Sequence, residues 1–238
     1  MIEAIILAGG EGKRLRPVVR ELPKPMAEVA GRPFLWWLMS RLSVQSVGRV
    51  VLSVGYKAEA IQGYFGPEFQ GMEILYALEH EPLGTGGAIR LALQQVNQRH
   101  ALVLNGDTYT DTDVRNLVSK FESSKTDLAM TVTYLDDVSR YGTIVIEKES
   151  DAVIGFVEKQ GSSAGYINAG IYCLSRDIFE KYSTPEKFSF ERDFMPARLE
   201  ELRPVAFKGA DAFIDIGIPE DYERAQTLIP LFAGKVNR

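Results

Sequence analysis

The chain has little cysteine and histidine, and this limits the chemistry available to it. Its one cysteine, Cys173, excludes an intramolecular disulfide among the 238 residues. This cysteine lies in the apolar run INAGIYCLS, which favours a small buried side chain over a reactive thiol. The two histidines, His80 and His100, are too few to build a zinc site with it. Any metal is therefore expected to be a hard cation such as Mg²⁺, held by oxygen ligands.

The chain also lacks a long hydrophobic run and an excess of basic residues. No apolar stretch approaches the roughly 18 residues that span a bilayer, and the start MIEAII lacks the basic region and cleavage site of a signal peptide. We therefore expect a cytoplasmic protein with no membrane contact. The net charge of −5 argues against nucleic acid as a partner, because nucleic-acid binding normally requires a basic surface.

Basic residues are nevertheless concentrated near the start of the chain. Residues 11–32 contain six basic side chains against three acidic ones, although the protein as a whole is acidic. A local positive field of this kind suits a small polyanionic ligand. The basic residues are Lys13, Arg14, Arg16, Arg20, Lys24 and Arg32, and the acidic ones are Glu11, Glu21 and Glu28.

Short apolar runs alternate with helical patterns through residues 1–110. Several of the runs are nearly continuously apolar, which is typical of parallel strands buried on both faces. The pattern predicts an α/β fold with a Rossmann-like, open, mixed but mostly parallel sheet flanked by helices, whose ligands bind beyond the carboxyl ends of the strands. The predicted strands are 2–8, 49–54, 73–78 and 101–105, and the predicted helices are 33–47, 57–65 and 86–96.

After residue 125 the pattern changes to strands with less helix between them. No repeat or linker separates the two parts, so one domain is expected over residues 1–238, with the second half extending the same sheet. The predicted strands are 128–135, 142–148, 152–159, 166–175 and 212–217, and the predicted helices are 176–182, 189–201 and one from about Pro219.

A glycine-rich turn, AGGEGKRLRP, follows the first strand and suggests a phosphate site. The dinucleotide-binding pattern G-x-G-x-x-G fails here, because Leu15 stands at the third glycine position. The Walker A pattern fails as well, since its first glycine position is Leu7 and Arg14 follows Lys13. A different phosphate-binding loop is indicated.

The loop and seven further segments resemble the sugar-1-phosphate nucleotidyltransferases, also called NDP-sugar pyrophosphorylases. The similarity spans almost the whole chain in order. It implies the nucleotide-diphospho-sugar transferase fold, with residues 1–110 binding the nucleotide and residues 111–238 binding the sugar phosphate. The segments are LAGGEGKRLRP with PKPM and GRPFL, then EPLGTGGAI, LVLNGD, GFVEK, INAGIY and FIDIGIPEDY.

The reaction that this resemblance implies is attack by a sugar phosphate on the α-phosphorus of a nucleoside triphosphate, with pyrophosphate leaving in line. The nucleophile is already anionic near neutral pH, because the second pKa of a phosphate monoester is about 6. No general base is required, so the protein must position two anions that repel each other and stabilise the developing charge.

The resemblance also implies roles for individual residues. Arg14 and Lys24 are expected to be catalytic, and Pro23 and Pro25 stiffen the backbone around Lys24. The expected nucleotide-binding residues are Leu7, Ala8, Gly9, Gly10, Gly12, Lys13, Glu79, Glu81, Gly84, Thr85 and Gly86.

Further roles concern the metal and the sugar phosphate. Asp107 and Asp215, each at the end of a predicted strand, are expected to hold Mg²⁺, although a strand-end aspartate can also simply cap a helix. The expected sugar-phosphate residues are Gly142, Glu158, Lys159 and Asn168. Without the resemblance, Glu158 and Lys159 would be interpreted as an exposed ion pair.

The base and the sugar are predicted less directly. Guanine presents adjacent N1–H and N2–H donors to a carboxylate, and the acceptors Glu79 and Glu81 therefore favour GTP over another nucleoside triphosphate, unless both face solvent. Among family members, the segments RYGTIVI, KFSFERDF and DYERA are most similar to the guanylyltransferases of D-glycero-α-D-manno-heptose 1-phosphate, which serve bacterial surface glycans.

Several alternatives remain open at the level of sequence. Mannose-1-phosphate guanylyltransferase is the nearest, because one hydroxymethylene unit is worth only about 1–3 kcal/mol in a pocket. An N-acetylmuramate-1-phosphate uridylyltransferase and a non-catalytic nucleotide-sugar sensor are the others. A homodimer is also possible, because PFLWWLMSRL is apolar around much of its predicted helix.

Overall fold

A central β-sheet organises the molecule, and helices cover both of its faces. A computed structural model describes residues 1–10, 12, 15, 22–158 and 163–236. The strands within these residues are β1 (Ile2–Leu7), β2 (Glu28–Val29), β3 (Arg32–Pro33), β4 (Val47–Val54), β5 (Glu68–Phe69), β6 (Met72–Leu78), β7 (His100–Asn105), β8 (Thr108–Thr110), β9 (Leu128–Leu135), β10 (Thr143–Ile146), β11 (Val153–Val157), β12 (Gly165–Ser175), β13 (Val205–Lys208) and β14 (Phe213–Asp215).

Helices connect many of these strands, and one follows the last of them. Their bounds within the described residues are α1 (Phe34–Ser43), α2 (Ala58–Phe65), α3 (Gly84–Leu93), α4 (Val114–Ser123), α5 (Ile178–Lys181), α6 (Met195–Ala197), α7 (Leu199–Leu202) and α8 (Pro219–Val236), with a 3₁₀ turn at Lys24–Met26 and a π-helix at Phe190–Phe194. None of the described helices combines the length and the apolar character of a membrane span.

The middle of the sheet is parallel, in the order β6-β4-β1-β7. Residues of β1 have partners on both sides, for example Ala4 with Val50 and with Leu102. The apolar runs of the first half therefore form central strands, as predicted, because strands covered on both faces by helices must be apolar on both faces.

The second half of the chain extends the same sheet. Strand β12 lies antiparallel to β7 and pairs on its other side with β9, which in turn is parallel to β13. The antiparallel strands β10 and β11 join the sheet through the start of β12, where Thr143 faces Ile167. The mixed, mostly parallel central sheet that the sequence predicts is confirmed.

Two apolar layers form the core, one on each face of the sheet. Side chains along β1 alternate between them, so that Ile6 packs in the layer of α1, α4 and α8, whereas Ile5 packs in the layer of α3 and the π-helix. Both isoleucines are fully buried. Each residue of the strand can therefore pack against the helices on only one face of the sheet.

The elements that were not predicted from the sequence include α4, β13 and the short strands β2, β3, β5 and β8. Helix α4 carries a signal that could have revealed it: Asp113 caps its first turn by accepting hydrogen bonds from the N–H groups of Arg115 and Asn116, and apolar residues recur at helical spacing. Strand β13 has only four residues and depends on pairing with β9, which lies far away in sequence.

The predicted helix 189–201 is divided into a π-helix and two short α-helices. Pro196 accounts for the interruption, because proline has no N–H to continue the helical hydrogen bonds and its ring crowds the preceding turn. The N–H of Phe194 instead reaches back to the carbonyl of Ser189, in the i to i−5 pattern of a π-helix.

The packing of α3 can be tested with Gly86→Ala. A Cβ at Gly86 would lie 2.1 Å from Cε2 of Phe188, so the variant is expected to lose roughly 1–3 kcal/mol of the free energy of unfolding. The matched control is Gly63→Ala in α2, where a Cβ meets nothing within 4 Å. That change should gain about 0.5–1 kcal/mol. Urea denaturation measures both, and equal stability of the two variants would contradict the packing.

Candidate active site

A cleft of ≈ 1010 Å³ opens at the carboxyl ends of the parallel strands. Its walls come from the loops that follow β1, β4, β6 and β7. Strand β1 lies between β4 and β7. The chain runs from β1 through β4 to β6 on one side and then returns to β7 on the other side, and a crevice forms where the strand order reverses. The predicted ligand-binding edge of the sheet is thus the edge that carries the cleft.

The glycines of the first loop have different surroundings. Gly10 has open space around it, whereas a Cβ at Gly9 would lie 2.5 Å from Oε1 of Glu79. Gly12 has a positive φ of 59°, and a Cβ there would lie 2.7 Å from Cβ of Lys24. Gly12 is therefore required both by its backbone conformation and by its contact with Lys24.

Lys24 stands between two prolines at the start of a 3₁₀ turn, and it lines the cleft. Its side chain is only 12% exposed. The Nζ atom lies 2.6 Å from Oδ2 of Asp107 and 3.6 Å from Oδ1 of Asp215. The predicted catalytic lysine and the two predicted metal ligands therefore meet at one point.

The pairing of β8 with β14 and an adjoining backbone hydrogen bond bring these carboxylates together. Asp107 follows β7, and the next residue, Thr108, pairs in β8 with Asp215 in β14. The N–H of Ile216 also donates to the carbonyl of Asp107, with a distance of 3.0 Å. The β8-β14 ribbon thus places a residue from near the end of the chain beside the end of a central strand.

The carboxylate of Asp215 pairs with Lys24 and accepts the N–H of Gly217, but one of its oxygens has no hydrogen bond. Its Oδ1 atom is buried and accepts no hydrogen bond, although the side chain as a whole is 31% exposed. Burial raises the pKa of Asp215 above its usual value, and the negative charge of Asp107 raises it further, whereas Lys24 lowers it. The positive charge of Lys24 therefore does not fully balance the negative charges of Asp107 and Asp215.

This donor set fits Mg²⁺. Two adjacent carboxylates, one with an orphaned buried oxygen, are typical of sites that bind Mg²⁺ through one or two carboxylates and take the remaining ligands from phosphates and water. Among the described residues, no group of three or more His, Cys, Asp and Glu side chains gathers as a closed metal cage. The substrate would therefore have to complete the coordination.

Glu79 and Glu81, both predicted to bind the base, have different environments. Glu79 is half-buried, and its carboxylate accepts hydrogen bonds from Oγ of Ser53 at 3.1 Å and from the N–H of Leu83 at 3.3 Å. Burial raises the pKa of Glu79, and these two hydrogen bonds lower it. Glu81 is exposed and forms an ion pair with Lys187 at 2.7 Å. Both line the cleft, but only Glu79 is desolvated there.

The glycines at the start of α3 serve protein packing. A Cβ at Gly84 would lie 2.5 Å from the carbonyl oxygen of Phe188, and the N–H of Gly86 donates to that same oxygen at 3.0 Å. The hydroxyl of Thr85 donates to Glu191 at 2.6 Å. Close approach of the 188–191 segment, which the sequence did not indicate, accounts for the small residues of this loop.

Three of the predicted sugar-phosphate residues lie at the same level of three neighbouring strands, next to a row of paired residues. Val157, Thr143 and Ile167 face one another across β11, β10 and β12. Glu158, Gly142 and Asn168 each lie one residue beyond this row in the direction of the cleft residue Asp107. Glu158 and Gly142 are exposed, and Asn168 is half-buried.

The remaining predicted site residues complete this account. Ala8 is buried and donates its N–H to the carbonyl of Ser53. Arg14, Lys13 and Lys159 lie outside the described residues. The predicted residues that line the cleft are Leu7, Gly9, Gly10, Gly12, Lys24, Glu79, Glu81, Gly84, Thr85, Asp107 and Asp215.

The residues near the site that sequence reasoning missed include Tyr172 and Glu191. Glu191 follows the cap residue Ser189 at the start of the π-helix, and Tyr172 is a fully buried residue of β12. A tyrosine hydroxyl in an apolar strand requires a polar partner, and that is the only signal the sequence carries for this pair.

Comparisons with known proteins agree with this architecture. The sequence profile described as Nucleotidyl transferase matches residues 3–230. The D-glycero-α-D-manno-heptose 1-phosphate guanylyltransferase of Aneurinibacillus thermoaerophilus is 44% identical, over 94% of this chain and 97% of that protein. The mannose-1-phosphate guanylyltransferase of Mycobacterium tuberculosis is 33% identical, over 94% of this chain and 63% of that protein.

A solved structure is similar over nearly the whole chain. The crystal structure of HddC from Yersinia pseudotuberculosis complexed with GMP-PN has 41% sequence identity to this chain and a TM-score of 0.82. The match covers 95% of this chain and 98% of that one.

The charge balance around Lys24 yields a paired prediction. Folded Asp215 has a raised pKa, so its contribution to stability is largest below the unfolded pKa and is lost as the pH rises through the folded pKa. Asp215→Asn should therefore raise the melting temperature at pH 7. Lys24→Gln should lower the free energy of unfolding by roughly 1–2 kcal/mol, because it leaves two carboxylates without a cation but water screens them partly.

Thermal denaturation without metal or nucleotide measures these two effects. Lys187→Gln is the control, because its exposed ion pair with Glu81 should be worth less than about 0.5 kcal/mol. Shifts of the same sign for Asp215→Asn and Lys24→Gln would show that the cluster is not short of positive charge.

Proposed function

The chain belongs to the nucleotidyl transferase family, and we propose that it joins GTP and D-glycero-α-D-manno-heptose 1-phosphate to give GDP-heptose and pyrophosphate. The observation that carries the proposal is the meeting of Lys24, Asp107 and Asp215 at the cleft beyond β1 and β7. The choice of sugar is supported by the 44% identity to a heptose 1-phosphate guanylyltransferase along almost its whole length.

The proposed reaction is a single displacement at phosphorus. A phosphate oxygen of the sugar 1-phosphate forms a bond to the α-phosphorus of GTP, and the bond from that phosphorus to the bridging oxygen breaks to release pyrophosphate. The attacking phosphate is already largely ionised near neutral pH. The described cleft residues accordingly act through charge and position rather than by removing a proton.

Lys24 is proposed to supply positive charge next to the reacting phosphates. Its ammonium group is held by the two carboxylates, so its position is set before substrate arrives. Asp107 and Asp215 would hold Mg²⁺, which when bound would neutralise charge on the triphosphate. Gly10 provides open space beside the loop backbone, where the phosphates can approach N–H groups.

Glu79 is proposed to select guanine. Each of its carboxylate oxygens already accepts one hydrogen bond from the protein and can accept another. The N1–H and N2–H groups of guanine form a matching pair of donors, whereas uracil offers one ring N–H between two carbonyls. A half-buried carboxylate gains most from a ligand that donates twice, because burial disfavours its charge.

Mannose 1-phosphate remains the second candidate substrate, since a mannose-1-phosphate guanylyltransferase is 33% identical over 94% of this chain. A non-catalytic sensor would have no use for the triad of Lys24, Asp107 and Asp215, which is present and assembled. A uridylyltransferase would not explain the half-buried acceptor at Glu79. The role in bacterial surface-glycan synthesis, the cytoplasmic location, the single domain and a homodimer remain predictions.

The proposed function can be tested with a matrix of substrates. Pyrophosphate release is measured for GTP, UTP, CTP, dTTP and ATP, each with heptose, mannose, glucose and N-acetylmuramate 1-phosphates. The fastest release is expected for GTP with the heptose 1-phosphate, and Asp107→Asn should abolish it while the protein stays folded. A faster rate with UTP, or with mannose 1-phosphate, would reassign the base or the sugar.

The role of Glu79 has its own test. Glu79→Gln should lower kcat/KM for GTP by about 10- to 100-fold, because one acceptor becomes a donor facing guanine N–H groups. Glu81→Gln is the matched control and should change it by less than about threefold, since Glu81 pairs with Lys187 at the surface. Similar losses in the two variants would exclude Glu79 as the selective residue.

A further inference from the structure

A chain of four hydrogen-bonded side chains runs from the cleft residue Thr85 to the predicted sugar-contacting residue Asn168. The hydroxyl of Thr85 donates to Oε2 of Glu191 at 2.6 Å, and the hydroxyl of Tyr172 donates to Oε1 of Glu191 at 3.4 Å. The amide Nδ2 of Asn168 donates to the hydroxyl of Tyr172 at 2.6 Å. Glu191 thus links the nucleotide loop at the start of α3 to the predicted sugar-contacting Asn168.

Backbone hydrogen bonds also hold the nucleotide end of this network in place. The N–H of Phe190 donates to the hydroxyl oxygen of Thr85 at 2.8 Å, and the carbonyl of Phe188 accepts the N–H of Gly86. Thr85 lines the cleft, but its one hydroxyl proton is already used by Glu191. Its side chain therefore holds the loop in place, and its backbone is left to face the nucleotide.

The sugar end of the network fixes the orientation of an amide. Oδ1 of Asn168 accepts the N–H of Gly170 at 2.9 Å, while one N–H of the amide goes to Tyr172. The second amide N–H is the donor that remains for a ligand. Asn168 is thereby oriented to donate this N–H to a sugar oxygen, while the second lone pair of Oδ1 can still accept from a sugar hydroxyl.

The middle of the network is shielded from water. Tyr172 is fully buried, so its hydroxyl depends on its two protein partners. Burial raises the pKa of Tyr172 well above its ordinary value, and the negative charges of Glu191 and Asp107 act in the same direction. The phenol therefore keeps its proton and remains a donor to Glu191.

We propose that Glu191 is a positioning residue, which holds the nucleotide loop through Thr85 and the sugar-contacting Asn168 through Tyr172, so that both substrates are positioned by one carboxylate. The inference rests on the proposed function, because it assigns the two ends of the network to GTP and to a sugar 1-phosphate. It predicts that loss of the Glu191 side chain disturbs both proposed binding sites, although these lie on different elements.

The test compares the single variants Thr85→Val, Tyr172→Phe and Glu191→Ala with the double variants Glu191→Ala/Thr85→Val and Glu191→Ala/Tyr172→Phe. KM is measured for GTP and for the sugar 1-phosphate, and calorimetry gives the Kd of each ligand without turnover. Glu191→Ala should raise both KM values by about tenfold or more, as expected for lost hydrogen bonds to a charged group. Thr85→Val should raise mainly the GTP value, and Tyr172→Phe mainly the sugar value.

Non-additivity separates positioning from general destabilisation. In the Glu191→Ala background, adding Thr85→Val or Tyr172→Phe should change either KM by less than about twofold, because the connection is already broken. Glu201→Gln, which loses only an exposed pair with Arg198, is the control and should leave both KM values unchanged. Melting temperatures confirm that the variants are folded.

Two outcomes would overturn the inference: additive effects of the three changes, or a change in only one of the two KM values for Glu191→Ala. If Glu191→Ala does not fold, Thr85→Val and Tyr172→Phe provide the test instead. Thr85→Val must then raise the KM for GTP, and Tyr172→Phe must raise the KM for the sugar 1-phosphate. Absence of pyrophosphate release by the wild-type protein would count against the proposed function. In that case the calorimetric Kd values still show whether Glu191 joins two ligand sites.

Discussion

The mutual repulsion of Asp107 and Asp215 is the constraint around which the site is organised. Two carboxylates side by side require positive charge, and the protein supplies part of it with Lys24, whose ammonium group lies between them. The supply is incomplete, because Oδ1 of Asp215 stays buried without a hydrogen bond and its pKa is raised. A cation and a polyphosphate are therefore complementary to this point of the structure, and much of the surrounding architecture serves to hold it.

Several features that suggest ligand binding in the sequence serve protein packing in the structure. Gly84 and Gly86 admit the backbone and ring of Phe188, and Gly12 admits the stem of Lys24. Even so, these contacts position the cleft, because they bring the start of α3 and the first loop to fixed places. Small residues in a binding loop can thus act on a ligand indirectly, by letting a second protein segment approach closely.

The two halves of the chain meet through β12, which pairs with β7 on one side and β9 on the other. This strand carries both Asn168 and Tyr172, and its antiparallel pairing with β7 brings the sugar-side residues toward Asp107. A carboxylate on the neighbouring π-helix then completes the connection to α3. The proposed nucleotide and sugar sites would therefore be connected through this strand and its hydrogen-bond network.

Much of this protein follows from local sequence. The apolar runs specify the central strands, and the glycine-rich loop and Lys24 predict a phosphate site, because these signals lie within a few adjacent residues. Asp107 and Asp215 stand at predicted strand ends, but only the family resemblance predicts them as metal ligands. Tertiary structure decided what depends on contacts between distant segments. It divided the helix at 189–201, separated half-buried Glu79 from exposed Glu81, and joined Glu191 to Thr85 and Tyr172. Burial and hydrogen bonding at these positions are set by neighbours as many as 106 residues away in sequence, and no local pattern records them.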